Sequence, residues 1–330
     1  MGVKHLNKLL RQKCTNISIN KQHLSAFRNK TIVVDTSIYL YRFSSEDALI
    51  ENMYLMISMF RNYDITPLFV FDGKPPAEKM ELLRKRREEK YIAQKQYNML
   101  LNTSSSKNNM NPDIQNELEL LRKKMLKIKI EDINRVKQLI EYYGVNHYTP
   151  PGEADDFCAY MVLSGKADCC LSDDTDLFLY NCPFVLRNLS LINHTVIYNN
   201  SNKIFEELNV SFQSFRDIMI LGGTDYNVLD KELEFEDLLR LYDMYKENGS
   251  IAPCYKWMLS NGFNVSIENI QQTKQLYVVN YNMYEDITKD MLIQNFPPKM
   301  HLLHKELEKE GFIFYTNVDN KLPWKSSIPV

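Results

Sequence analysis

TIVVD at residues 31–35 and PLFVFD at residues 67–72 decide the reading of this chain, because each is a short apolar run that ends in a carboxylate. Runs of this kind read as strands buried on both faces, the form strands take in a parallel sheet. Between them Tyr39, Phe43, Met53, Leu55, Met56 and Phe60 recur at roughly helical spacing. The segment from about Ser37 to Tyr63 is therefore read as the crossover helix of a β-α-β unit. Strand signals return in VNHYTP (145–150), CCLS (169–172), PFVLRNL (183–189) and HTVIYN (194–199), with a helix opening at Gly152-Glu153. The expected fold class is α/β, a mainly parallel central sheet with flanking helices.

After Gly73-Lys-Pro-Pro the pattern changes. A charged helical stretch runs to about Leu101, a polar segment NTSSSKNNMNPD follows, and a second charged helix extends to about Tyr143. Two helices joined by a Ser/Asn-rich tip predict an arm projecting from the sheet. From about Phe205 the chain reads as mainly helical. The expected division is 1–76 and 144–228 for two parts of one core, 77–143 for a helical insertion and 229–330 for a helical C-terminal region.

Composition narrows the class. With 330 residues, 44% hydrophobic and 12% aromatic, the chain can bury a large core in one domain or two. No stretch approaches the roughly 18 apolar residues of a membrane span, and the opening Met1-Gly-Val-Lys-His-Leu lacks a signal peptide's apolar run. A nuclear or cytoplasmic protein with no membrane partner is expected. Leu6 stands where a myristoylation signal takes Ser or Thr, which argues against lipidation at Gly2. Cys14, Cys158, Cys169, Cys170, Cys182 and Cys254 form no C-x-x-C pair and read as reduced, mostly buried thiols. His301 and His304, without companion ligands nearby, read as surface residues of a helix.

The formal charge of −2 argues against a protein that coats nucleic acid, but distribution matters more than the sum. KMELLRKRREEKYIAQK (79–95) and RKKMLKIK (122–129) are basic, while acids predominate elsewhere. A basic element can thus face an acidic pocket across one cleft.

Acids recur where such a pocket would form. Ligands of open parallel sheets collect beyond the carboxyl ends of the strands. Asp35 and Asp72 end their strands, Asp174 and Asp176 follow CCLS, Glu153 and Asp155 open a helix, and Asp225 follows Gly222-Gly223. Each has a plain alternative: Asp35 as a helix cap, Asp72 as a turn residue, Glu153, Asp155 and Asp156 as partners of a helix N-terminus. Together they would repel one another unless cations lay between them. Carboxylates without His or Cys suit Mg²⁺ or Mn²⁺, and a pair of such ions about 4 Å apart can drive phosphodiester cleavage.

These blocks resemble the flap-endonuclease family of structure-specific 5′ nucleases. The matching pieces are MGVKHLNKLL, TIVVDTSIYLY, PLFVFDGKPP, the run from PPGEADDF to PFVLRNL, and ILGGTDY, in the family's order. The resemblance implies a PIN-like nuclease core with a helical arch. It implies a two-metal-ion hydrolase for DNA with 5′ flaps, junctions or free 5′ ends, acting in DNA replication, repair or recombination. Asp35, Asp72, Glu153 and Asp155 would gather at one Mg²⁺, and Asp174, Asp176 and Asp225 at a second, with Mn²⁺ as a substitute. Asp155 stands where the family usually has Glu, and Asp156 and Asp173 are rivals to the matched positions.

The resemblance further places Lys79 and Arg86 beside the scissile phosphate, as catalytic residues with Asp174. It places Tyr41 against a nucleobase, with a core aromatic as the alternative reading, and Gly2 close to the site. Arg84, Lys85 and Arg87 read as a solvated face or as loose phosphate contacts.

Three departures stand out. GTDY runs on into NVLDKELEFEDLL without the glycines of a duplex-gripping helix-hairpin-helix, the stretch from Tyr41 to Met53 is short, and no clamp-binding box or basic tail ends the sequence. A compact, divergent member rich in Asn, Ile, Lys and Tyr fits a virus-encoded protein of a viral replication site. Replication and repair proteins are the expected protein partners. Two other readings remain, a nuclease-like scaffold that does not cut and a 5′-3′ exoribonuclease with the same acidic core.

Overall fold

A computed structural model describes residues 2–104, 112–226, 234–247, 256, 257, 260 and 266–314. Most of the polar tip, the residues just after GTDY, and the end of the chain (105–111, 227–233 and 315–330) lie outside the described residues.

Seven strands make one sheet: β1 (Ile19–His23), β2 (Thr31–Asp35), β3 (Thr66–Val70), β4 (Asn146–Tyr148), β5 (Cys169–Leu171), β6 (Phe184–Ser190) and β7 (Thr195–Asn200). Their order is β1-β7-β6-β5-β2-β3-β4. The five strands from β6 to β4 run parallel, as the apolar runs predicted. A β6–β7 hairpin and β1 add an antiparallel edge. β1 was not read from the sequence: INKQH is polar, as an edge strand can afford to be.

Flanking helices are α1 (Leu6–Lys13), α2 (Thr36–Ser45), α3 (Leu49–Asn62), α4 (Met80–Ser104), α5 (Pro112–Met125), α6 (Ile130–Tyr142), α7 (Ala154–Leu163), α8 (Ser201–Leu208), α9 (Phe212–Gly222), α10 (Phe235–Glu247), α11 (Ile267–Leu276), α12 (Tyr281–Thr288) and α13 (Met300–Glu308). Two of the expected helices are split. The crossover breaks between α2 and α3, where Asp47 takes φ 55° and the Ala48 amide turns back to the Phe43 carbonyl. The second charged helix ends at Met125, and α6 is a separate helix whose Val136, Leu139 and Ile140 are buried against the core. Only α4 and α5 form the arm, tied to the α2–α3 turn by Arg122 and Asp47.

Side-chain alternation along β2 divides the core. Val33 packs with α1, α7, α9 and α10, while Ile32 and Val34 pack with α2, α3, α6 and the Leu303 and Leu307 face of α13. Of the residues expected inside the crossover, Tyr39, Phe43, Met53, Met56 and Phe60 are buried and Leu55 is exposed. Cys158, Cys169, Cys170 and Cys182 are buried free thiols and Cys14 is half-buried; Cys254 lies outside the described residues. Among the described residues no helix is long and apolar enough to cross a membrane.

The topology fixes where a ligand can sit. From β2 the chain steps outward to β3 and β4, then crosses back through α7 to β5 on the other side of β2. The direction of winding reverses between β2 and β5, so a crevice opens at their carboxyl ends.

Candidate active site

The seven acids are carried to this edge by different elements. Asp35 ends β2, Asp72 lies two residues past β3, and Asp174 and Asp176 follow β5. Glu153 is the N-cap of α7, Asp155 stands in its first turn, and Asp225 comes just after α9. Their proximity shows in their electrostatics. Burial, then Asp72 and Asp174, push Asp35 up to about 8. Burial, then Asp174, Asp35 and Asp176, hold Asp155 well above the usual carboxylate range, and burial, then Asp174 and Asp225, do the same to Asp176.

The plain reading of Asp35 as a helix cap holds as well, while Asp72, read as a turn residue, instead serves a neighbouring helix. Asp35 caps α2, accepting from the Ser37 amide at 3.2 Å, and its other oxygen accepts from Ser172 Oγ at 2.7 Å. Asp72 accepts from the Ala154 amide at 3.0 Å and so caps α7. Capping leaves lone pairs on both carboxylates free for another partner. The two loops involved are laced together: the Gly73 amide donates to the Gly152 carbonyl at 2.8 Å and Lys74 to Pro151 at 3.0 Å. A Cβ at Gly73 would stand 2.0 Å from the Pro150 carbonyl oxygen, so only glycine lets DGKPP approach PPGEAD this closely.

The rivals turn away. Asp156 accepts from the Tyr284 hydroxyl at 2.9 Å on α12, and Asp173 accepts from the Asn188 amide at 2.6 Å on β6. Asp155 and Asp156, consecutive on α7, therefore face different surroundings.

Cations close the site from the arm. Lys79, in the turn before α4, donates to Glu153 Oε1 at 2.7 Å, and Arg86 donates to Asp225 Oδ2 at 2.8 Å. Burial would lower the Lys79 pKa, but Glu153, Asp155 and Asp176 outweigh it and bring it to about 12. Arg84 is spent on Glu81 and Glu88 of its own exposed helix face, and Lys85 and Arg87 are exposed. Tyr41 is 43% exposed, not a core aromatic, and Lys90 Nζ sits 5.1 Å from its ring centroid. With Leu83, Arg86 and Arg87 they line a groove of about 760 Å³ between α2 and the arm.

Gly2 lies inside the acid cluster. The Val3 amide donates to Thr175 Oγ1 at 2.7 Å and the Lys4 amide to the Gly223 carbonyl at 2.9 Å, pinning the N-terminal strand of chain between two acid-bearing loops. At φ +87°, a Cβ on Gly2 would stand 2.2 Å from Asp174 Oδ1 and 2.9 Å from Asp176 Oδ1.

This donor set suits a hard divalent cation. It consists of carboxylate oxygens, it is crowded enough to raise its own proton affinity, and Asp176 Oδ1 is buried with no hydrogen-bond partner. Among the described residues no three of the acids meet round one point. Two of them, Glu153 and Asp225, are drawn instead to Lys79 and Arg86. His301 and His304 lie on α13 apart from this edge, with His304 stacked 3.9 Å from the Phe314 ring.

Two side chains at the site were not foreseen. Tyr226 donates to Glu153 Oε2 at 2.8 Å, and Tyr277 donates to Asp176 Oδ2 at 3.3 Å. Tyr226 ends the ILGGTDY block and could have been marked there. Tyr277 follows α11, where the sequence offers no pattern.

Comparison with known proteins gives the same outline. The family described as XPG N-terminal domain matches residues 1–93, and the XPG I-region matches residues 144–225. Flap endonuclease 1 of Methanococcus aeolicus is 29% identical over an alignment of 232 positions that covers 64% of this chain and 68% of that protein. The catalytic core of Rad2 in complex with DNA substrate superposes with a TM-score of 0.64 at 18% identity, covering 94% of this chain and 95% of that one. The Holliday junction-resolving enzyme GEN1, solved with product DNA, Mg²⁺ and Mn²⁺, gives a TM-score of 0.59 at 14% identity over 92% and 72% of the two chains. The two matched regions hold all seven acids and both site cations and leave out most of the arm between them, and the chain belongs to the XPG and flap-endonuclease family of nucleases.

Proposed function

We propose that this nuclease hydrolyses DNA phosphodiesters at 5′ flaps, single-strand/duplex junctions or free 5′ ends, in replication, repair or recombination. The observation that carries the reading is the charge coupling of Asp35, Asp72, Asp155, Asp174, Asp176 and Asp225 at one end of the sheet, with Lys79 and Arg86 bonded to Glu153 and Asp225 beside them. Divalent metal is required, and two Mg²⁺ ions, replaceable by Mn²⁺, would be shared among Asp35, Asp72, Glu153 and Asp155 on one side and Asp174, Asp176 and Asp225 on the other. Bound there, the ions supply positive charge that favours an attacking hydroxide and the departing oxygen.

The protein's own groups do the rest. A phosphodiester entering the crevice offers Lys79 and Arg86 an anion in exchange for Glu153 and Asp225, which places both cations on the oxygens that gain charge in the transition state. Tyr41, half-exposed beside Lys90, presents a ring face on which a base can stack. The flap endonuclease relatives and the DNA-bound Rad2 core support DNA as the substrate.

The test is a time course in Mg²⁺ with 5′-labelled and 3′-labelled flap, splayed-duplex, single-stranded and RNA substrates, using wild type and Asp174→Ala. Cleavage of 5′-flap DNA by wild type and not by the variant is expected. Equal rates for the two proteins would refute the assignment, and faster cutting of the RNA flap would move the substrate class.

A further inference from the structure

The residue that departs furthest from any sequence signal is Tyr277. It lies well past the last family-matched residue, Asp225, yet its hydroxyl reaches into the acid cluster and its ring is 2% exposed. We infer that Tyr277 is a positioning residue for the metal site, orienting the Asp176 carboxylate through its Oδ2 so that the unpartnered Oδ1 is the oxygen offered to a divalent cation. The inference rests on the nuclease reading above.

Three observations place it there. First, the two oxygens of Asp176 have opposite surroundings: Oδ2 accepts from Tyr277, while Oδ1 is buried, makes no hydrogen bond, and is the atom nearest Gly2 on that carboxylate. Leaving a buried carboxylate oxygen unpaired is costly unless something else satisfies it. Second, the phenol is held firmly. The Tyr277 ring packs edge-on against Tyr180 and Tyr226 at centroid distances of 5.3 Å each, and the Tyr180 hydroxyl bonds the Leu276 carbonyl at 3.3 Å. The helix before it, α11, is tied to α9 through Lys274 and the fully buried Asp217. Third, the same stack serves the other acid group, since Tyr226 donates to Glu153. One aromatic wall thus fixes a carboxylate from each half of the cluster. Outer hydrogen bonds of this kind hold a ligand in the orientation the ion needs.

The consequence is that a segment with no recognisable motif, residues 266–288, completes the site rather than merely covering the sheet. Removing one hydroxyl should weaken metal binding while leaving the fold intact, because the ring still fills its place.

The experiment is Mn²⁺ titration of the full-length, DNA-free protein by calorimetry or electron paramagnetic resonance, for wild type, Tyr277→Phe and Tyr284→Phe. Tyr284→Phe removes the hydroxyl of an equally buried tyrosine that bonds Asp156, which accepts that bond on α7's other side. Tyr277→Phe is expected to lower the affinity of one Mn²⁺ site roughly tenfold, the low end of what losing such an outer partner costs. It should raise the Mg²⁺ concentration for half-maximal cleavage by a similar factor. Tyr284→Phe should bind Mn²⁺ as wild type does. Equal affinity in wild type and Tyr277→Phe overturns this inference alone, as does an equal loss in Tyr284→Phe, which would assign the effect to packing. A wild-type chain that binds no Mn²⁺ overturns the nuclease reading and this inference with it.

Discussion

Lys79 and Arg86 form salt bridges of nearly equal length, 2.7 and 2.8 Å, but to acids from different parts of the cluster, Glu153 and Asp225. The first pair is well buried, with side chains 11% and 14% exposed. A buried ion pair of this kind contributes little net stability, but removing one partner leaves an uncompensated charge. In the proposed reaction the pair is poised: both cations stand at the crevice and would exchange a carboxylate for the phosphate.

Lys79→Ala is therefore expected to lower single-turnover cleavage by roughly a hundredfold or more, the scale of losing one aimed donor to a transition state. DNA affinity should fall by much less, because Arg87, Lys90 and Lys124 still line the neighbouring groove. Single-turnover kinetics alongside fluorescence anisotropy separates the two effects. A loss of affinity that matches the loss of rate would place Lys79 in general phosphate binding instead.

Gly2→Ala should be nearly silent in stability and severe in activity. The added methyl would meet Asp174 Oδ1 at 2.2 Å, and the backbone there has φ +87°, so the N-terminal residues must shift out of the cluster. The rest of the core does not depend on that contact. Thermal melting unchanged within a few degrees, with cleavage reduced by an order of magnitude or more, is the expected result. Wild-type cleavage by this variant would show that the pinned N-terminus is not part of the working site.

How much of this was legible in the sequence follows from what each feature depends on. The parallel core was visible because β2 and β3 are buried on both faces and so must be apolar throughout. β1 was not, since one edge of it faces solvent and tolerates Lys21 and Gln22. The break between α2 and α3 turns on one left-handed residue, Asp47, for which the local sequence carries no glycine signal. Acids at strand ends pointed to the candidate site, but which of Asp155 and Asp156 turns towards Asp35, Asp174 and Asp176 is set by helix phase and by Tyr284, a partner 128 residues from Asp156. Tyr277 was out of reach for the same reason: nothing near it in sequence hints at Asp176.

Crowding of the acids predicts a stability profile for the metal-free protein. Asp35 has an ordinary value of 3.8 and is pushed up to about 8 by burial, then by Asp72 and Asp174, with Asp155 and Asp176 shifted in the same direction. Between those two values the folded chain binds more protons than the unfolded one, so stability falls as pH rises through the interval. In EDTA the protein should melt at a lower temperature at pH 8 than at pH 6, and saturating Mg²⁺ should narrow the gap. Asp35→Asn should flatten the EDTA profile. Identical melting of the wild type at the two pH values in EDTA would contradict the crowding.

The neighbouring acids of α7 provide the sharpest contrast. Asp155 lies among Asp174, Asp35 and Asp176, and replacing its charge with an amide removes an anionic oxygen that a divalent cation would use. Asp156 instead accepts from the Tyr284 hydroxyl on α12. Asp155→Asn is expected to weaken Mn²⁺ binding and slow cleavage by roughly tenfold to a hundredfold. Asp156→Asn keeps an acceptor for the tyrosine hydroxyl and should cleave at close to the wild-type rate, with stability altered by about 1 kcal/mol or less. Both substitutions are one residue apart and change the same formal charge, so a general electrostatic effect on DNA binding predicts equal outcomes. Parallel Mn²⁺ titrations and cleavage rates decide between them, and similar losses in the two variants would mean that the facing of α7 does not select the ligand.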